Sequence, residues 1–221
     1  RRSKYNSSSK IVESFLFKKL FKYKAKTSPN PLGIEIKYAK GNYLYDNKNK
    51  KYLDFIAGVS VCNLGHCHPK VIKAIENQIK RHLHVMVYGE FIQKAPVLLA
   101  KKLVDLLPKN QETLYLTNSG TEAVEGALKL AKKVTNRYEI IAAKNSYHGS
   151  THGSLSVIGI ESQKKGYRPL IPFSNFIEYN NEKDLDKITE KSAAVILETI
   201  QGGAGFILPR NNYLKKVKVR N

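Results

Sequence analysis

The sequence predicts an α/β fold: a mostly parallel sheet flanked by helices, preceded by a small α+β part. Three observations carry this. Beyond residue 69, stretches with the 3.6-residue apolar period of a helix alternate with short apolar runs, and strands separated by helices join in parallel and are covered on both faces. Residues 34–55 alternate apolar and polar positions around turn residues, the pattern of an antiparallel meander. With 221 residues, 42% of them hydrophobic, the chain can bury a real core.

Residues 1–26 read as a basic tail and arm helix. Residues 1–10 are polar, and from Val12 onward Phe15, Leu16, Leu20 and Tyr23 form a helical stripe with lysines between. Residues 27–68 begin with the Pro- and Gly-rich linker Thr27–Gly33, followed by strands at 34–38, 42–45 and 51–55, the last two joined by the turn Asp46–Lys50. Residues 69–221 hold the alternation. Pro69 is placed as a first helical residue, with Val71, Ile72, Ile75 and Ile79 behind it to about His82. A second helix spans Lys94 to Leu107 and stops before Pro108. Then come a strand at 113–117, a helix at 122–134, a strand at 140–143, a segment at 154–158 that is either extended or helical, a strand at 176–179, a helix at 183–189, a strand at 193–197 and a helix from 212 to 219. No internal repeat is present.

The charge is conspicuous: 38 basic against 18 acidic residues, net +20. Yet 31 of the 38 are Lys, spread through every segment, whereas bidentate recognition of phosphates and bases favours Arg. We read a compositional bias and expect no nucleic-acid partner. Two cysteines, Cys62 and Cys67, are too few for a disulfide scaffold, which points to a reducing, cytoplasmic setting. The longest stretch without Asp, Glu, Lys or Arg, Asn145–Ile160, is rich in Ser, Gly and His, so no membrane span is expected. Residues 11–21 are interrupted by Lys18 and Lys19 and are not followed by a small-residue cleavage site, so they do not read as a secretory signal.

Four segments could carry chemistry. In Leu116-Thr-Asn-Ser-Gly-Thr-Glu-Ala123 a strand ends in a tight turn that opens a helix. Ser119 and Thr121 bring hydroxyls, Gly120 lets backbone amides approach, and the helix start offers unpaired N–H groups and its positive end, a setting that suits a phosphate. An ordinary capped helix would look the same. No Walker lysine and no Gly-x-Gly-x-x-Gly occur, which disfavours nucleoside triphosphates and dinucleotides. Asn145-Ser-Tyr-His-Gly-Ser-Thr151 follows a buried strand; Tyr147 can lay its ring on a planar heterocycle, with His148 beside it. Cys62, His66, Cys67 and His68 invite zinc, but match no usual structural spacing, and read better as a loop capping the helix at Pro69. Glu198-Thr-Ile-Gln-Gly-Gly-Ala-Gly205 sets a carboxylate at a strand end beside glycines, a site loop or simply a turn.

Taken in order, Gly65-His-Cys-His-Pro69, Asn118-Ser-Gly-Thr-Glu-Ala123, Tyr147-His-Gly149 and Glu198-Thr-Ile-Gln-Gly202 resemble the class III aminotransferases of the ornithine/acetylornithine type, and Asn42-Tyr-Leu-Tyr-Asp46 and Tyr52-Leu-Asp54 fit the same family. The resemblance implies the fold-type-I domain, pyridoxal 5'-phosphate as cofactor, and a homodimer that passes an amino group from a small amine-bearing donor to a 2-oxo acid. It implies that Ser119, Gly120 and Thr121 grip the cofactor phosphate, that Tyr147 stacks on its ring with His148 alongside, and that Glu198 lies near its polar edge. On this reading residues 27–68 belong to the small domain and 69–221 to an incomplete large domain. The aspartate that pairs with the ring nitrogen and the Schiff-base lysine are both expected beyond Asn221, so no catalytic residue is assigned within the chain, which reads as a fragment open at both ends and inactive alone. Thr199 and Gly203 depart from the family's Glu-Pro-x-Gln-Gly-Glu, and Gly203 removes a glutamate tied to substrate recognition. The alternatives are a non-catalytic remnant, or diaminopelargonate, 4-aminobutyrate or aminomutase chemistry.

Overall fold

A computed structural model describes residues 15–28, 30–86 and 89–220. The tail expected over residues 1–10 lies outside the described residues. The chain forms two compact units, Arg1–Gln93 and Lys94–Asn221.

In the first unit, helix α1 (Phe15–Tyr23) precedes the expected meander: β1 (Ile36–Lys40), β2 (Tyr43–Asp46) and β3 (Lys51–Leu53), antiparallel throughout. Asp46 makes the β2–β3 turn: its carboxylate accepts the amides of Lys48 and Lys50, both at 2.8 Å, and the Tyr52 hydroxyl at 2.9 Å. Across β1 and β2, Tyr38 and Tyr45 stack at 4.4 Å, the cross-strand contact that fixes register. After α2 (Ala57–Ser60), one turn with left-handed φ at Gly58 and Val59, comes α3 (Pro69–Ile79), with Pro69 at its first position and His68 as its cap.

In the second unit, α4 (Lys94–Val104) and α5 (Gly120–Thr135) lead into β4 (Glu139–Ala143), α6 (His152–Ser156), α7 (Glu161–Lys164), β5 (Ser174–Ile177), β6 (Ser192–Ile196) and α8 (Tyr213–Arg220). The sheet runs β5-β4-β6, with both pairings parallel. Central β4 is apolar without alternation because both its faces are covered. Ile141 packs with Ile177, Leu185, Ile188, Tyr213 and Val217 on one side, and Ile140 and Ala142 pack with Val157 and Ala193 on the other.

Two expected elements differ, and an open one is decided. Residues 113–117 form no strand; the alternation is there, but a strand also needs a pairing partner, none of the described residues supplies one, and Tyr115 remains 81% exposed. The helix expected at 183–189 is a 3-10 turn at Glu182–Lys187, started by the Asn181 side chain accepting the Lys183 amide. The ambiguous 154–158 segment is helical in α6 and then turns, through Val157 N–H to Ser154 and Ile158 N–H to Leu155.

Candidate functional site

Three of the four chemical segments converge in the second unit, at the carboxyl ends of β4 and β6, the edge where parallel sheets place ligands. The start of α5 is a capping box: Ser119 Oγ accepts the Glu122 amide at 3.3 Å, while the Glu122 carboxylate accepts the Asn118 amide at 2.9 Å and the Ser119 hydroxyl at 3.1 Å. The amides of Gly120 and Thr121 have no acceptor among the described residues, and beyond its chain neighbours and its own helix backbone no described atom lies within 4 Å of where a Gly120 Cβ would be. Two free donors at the positive end of a 16-residue helix, with open space before them, suit a phosphate.

The hydroxyl of Thr121 is engaged within the chain. It meets Thr151 Oγ1 at 2.7 Å and Ser154 Oγ at 2.6 Å, and accepts the Thr151 amide at 3.2 Å, which joins the α5 start to the loop carrying Tyr147 and His148. At its other end this loop is anchored by Asn145 N–H to Gly159 O, Gly159 N–H to Ser146 O, and the Ser146 hydroxyl to Ala143 O. Tyr147 keeps 49% of its surface exposed, so a ring face is available.

His148 and Glu198 each carry a buried atom without a partner among the described residues, Nε2 and Oε2. Burial lowers the His148 imidazole to about 4, which keeps it neutral near pH 7. Burial also raises the Glu198 carboxyl, only partly offset by the amides of Gly202 and Tyr147; the Gly202 amide reaches Oε1 at 3.3 Å. Gln201, 1% exposed, donates to Lys144 O at 2.8 Å and ties the Glu198 loop to the end of β4.

The His/Cys segment does something else. His66 Nε2 meets Asp54 Oδ2 at 2.7 Å, its backbone pairs with Gly41, Cys67 is exposed and His68 caps α3. Among the described residues no three His, Cys, Asp or Glu converge as a metal set. Sequence reasoning missed Glu125 and Ser154, and held Thr151 only as the end of the Tyr147 segment; the available signal was Glu125 lying four residues after Thr121, on one helix face.

The family model for "Aminotransferase class-III" matches residues 23–219. The chain belongs to the class III aminotransferases. Among curated relatives it is 40% identical to the acetylornithine aminotransferase of Clostridium acetobutylicum, over 81% of this chain and 47% of that protein. It is 39% identical to the [LysW]-aminoadipate semialdehyde/glutamate semialdehyde transaminase of Sulfurisphaera tokodaii, over 84% and 48%. Ornithine aminotransferase of Toxoplasma gondii superposes with a TM-score of 0.84 at 27% identity, over 93% of this chain and 50% of that one. Adenosylmethionine-8-amino-7-oxononanoate aminotransferase of Methanocaldococcus jannaschii gives 0.82 at 31%, over 93% and 51%. The fold is that of the fold-type-I transferases, and the chain spans about half the length of the relatives it matches. Class III aminotransferases use pyridoxal phosphate. The residues present fit that group: free helix-end amides, a half-exposed aromatic ring, and two buried polar atoms without partners.

Proposed function

We propose that this chain supplies the cofactor-binding part of an aminotransferase that moves an amino group from an ornithine- or acetylornithine-type donor to a 2-oxo acid. The observation that carries the cofactor assignment is the pair of unpartnered α5 amides joined, through Thr121, to the Tyr147–His148 loop. When bound, pyridoxal phosphate supplies the carbonyl that takes up the amino group and a ring that accepts electrons. The chain's residues do the rest of the binding: Ser119 caps the helix, Gly120 and Thr121 hold the phosphate by their amides, and Tyr147 covers the ring. Neutral His148 and the Glu198 carboxyl offer hydrogen bonds to its polar groups. The relatives' names favour the donor class, and by the same reading the working protein is a cytoplasmic homodimer whose Schiff-base lysine lies beyond Asn221.

The test uses pyridoxamine 5'-phosphate, which lacks the aldehyde that would react with any of the 31 lysines. It should bind and be displaced by inorganic phosphate. Gly120→Asp should weaken binding more than about tenfold, because it sets a carboxylate against the phosphate. Folding should be unharmed or improved by a few tenths of a kcal/mol, since an acidic residue suits a helix start and the site is open. Equal binding by the variant would remove the α5 end from the site.

Gly203 bears on donor choice. A Cβ there would meet Asn145 O and Ile160 Cδ1 at 3.9 Å, ordinary contacts. Gly203→Glu is therefore expected to change unfolding free energy by no more than about 0.5 kcal/mol, measured by urea titration. A larger loss would mean that the glycine is required by the fold and is not a change in substrate recognition.

A further inference from the structure

The Tyr147–His148 loop is not held to α5 by the cofactor-contacting residues alone. Glu125 lies one turn along α5 from Thr121, on the same face. Its Oε1 accepts the Thr151 hydroxyl at 2.5 Å, the Gly153 amide at 2.8 Å and the Ser154 amide at 3.0 Å. A carboxylate from one helix thus takes up the unpaired amides at the start of another, α6.

The protons of this cluster can be assigned. Thr151 gives its hydroxyl proton to Glu125, so Thr151 Oγ1 can only accept from Thr121, at 2.7 Å, or Ser154, at 3.0 Å. Ser154 Oγ can donate to Thr151 O at 3.1 Å, leaving it an acceptor toward Thr121 at 2.6 Å. Thr121 then donates inward and also accepts the Thr151 amide, which commits its hydroxyl to the loop and leaves only its amide for an anion.

Steric fit closes the same contact. A Cβ on Gly149, at φ +126°, would lie 2.5 Å from Thr121 Oγ1, and one on Gly153 would fall inside the Glu125 carboxylate. Burial pushes the Glu125 carboxyl up, but hydrogen bonds from Thr151, Ser154 and Gly153 and the nearby His152 outweigh it and hold it below the usual carboxylate range.

We propose that Glu125 is a positioning residue that clamps the 147–154 loop onto α5, so that Tyr147 faces the cofactor ring while the α5 amides face its phosphate. This rests on the cofactor reading above. It predicts a split between two ligands. In Glu125→Ala, affinity for pyridoxamine 5'-phosphate should fall about tenfold, the loss of a charged hydrogen-bond set, while affinity for inorganic phosphate stays within about twofold, because the α5 amides remain. Glu125→Gln, which keeps the acceptor oxygen, should recover most of the loss. In a Tyr147→Leu background, Glu125→Ala should cost under about twofold, because the clamp acts through that ring.

Equal losses for both ligands would make Glu125 a support of the helix instead, and no loss would remove the clamp; either result overturns the proposal. A parent chain that binds neither ligand overturns the cofactor reading. The clamp is then judged by hydrogen exchange, which should speed up at Gly153 and Ser154 in Glu125→Ala and leave the α5 interior unchanged; unchanged exchange overturns it. If Glu125→Ala does not fold, Thr151→Val, which removes one of the three bonds, should show the same split at smaller size, and its absence counts against the clamp.

Discussion

Gly159→Ala is expected to destabilise the second unit by about 3 kcal/mol or more, lowering the melting temperature by roughly 6–12 °C, and to abolish pyridoxamine 5'-phosphate binding with it. A Cβ at this position would run into the carbonyl oxygen of Ala143 and lie 2.5 Å from Asn145 N and 2.7 Å from Lys144 C. All three are backbone atoms at the end of the central strand, flanked by residues with no exposure, so none can turn aside as a side-chain tip would. Gly159 also exchanges hydrogen bonds with Asn145 and Ser146, the residues from which the Tyr147–His148 loop departs. Relief of the clash must push that loop off β4. Urea unfolding followed by circular dichroism measures the stability, and a loss below about 1 kcal/mol would show that the β4 end yields more readily than its packing implies.

The same contact explains what could be read from the sequence. Local signals spoke for themselves: Pro69 opening α3 and Asp46 in a turn each act through neighbours in the chain, and both are found where expected, whereas Ser119, read as a phosphate donor, caps α5 with Glu122. Burial of Ile140–Ala143 on both faces followed from an apolar run without alternation. Pairing was not legible in the same way. Residues 113–117 carry the pattern of a strand, but pattern is intrinsic to a segment and a ladder is not. The site was half legible. The residues facing a ligand have distinctive types, whereas Glu125, Thr151 and Gln201 are common residues whose roles come from contacts across 26, 30 and 57 positions of sequence. The hydroxyl of Thr121 shows the limit best: its type suggested a phosphate donor, and the fold spends it on Thr151 and Ser154.

Acid should weaken the fold through one imidazole before any carboxylate adds to the loss. Burial lowers His148 to about 4 from its ordinary 6.5, so the folded chain binds fewer protons there than the unfolded chain does, and stability must fall as pH drops below about 6.5. Integrated from pH 7 to pH 5, the two values give a loss of about 2 kcal/mol, with about 1 kcal/mol more by pH 4 and the remainder below it. The carboxylates with lowered values, Asp46, Asp54 and Asp184 from 3.8 and Glu125 and Glu161 from 4.5, add their losses only below those ordinary values, so the upper window isolates the histidine from them. Glu198 acts in the opposite sense: its raised carboxyl takes up a proton more readily in the folded state and recovers some stability as pH falls toward 4.5. His148→Gln, which cannot titrate, should therefore abolish the loss between pH 7 and 5 and leave a slight gain from Glu198. Urea midpoints across that range measure the slope, and a variant as acid-sensitive as the parent would place the responsible group elsewhere. Because the penalty arises from charging a ring whose Nε2 has no partner among the described residues, a ligand that supplies an acceptor there should reduce the acid sensitivity of the parent chain but not of the variant.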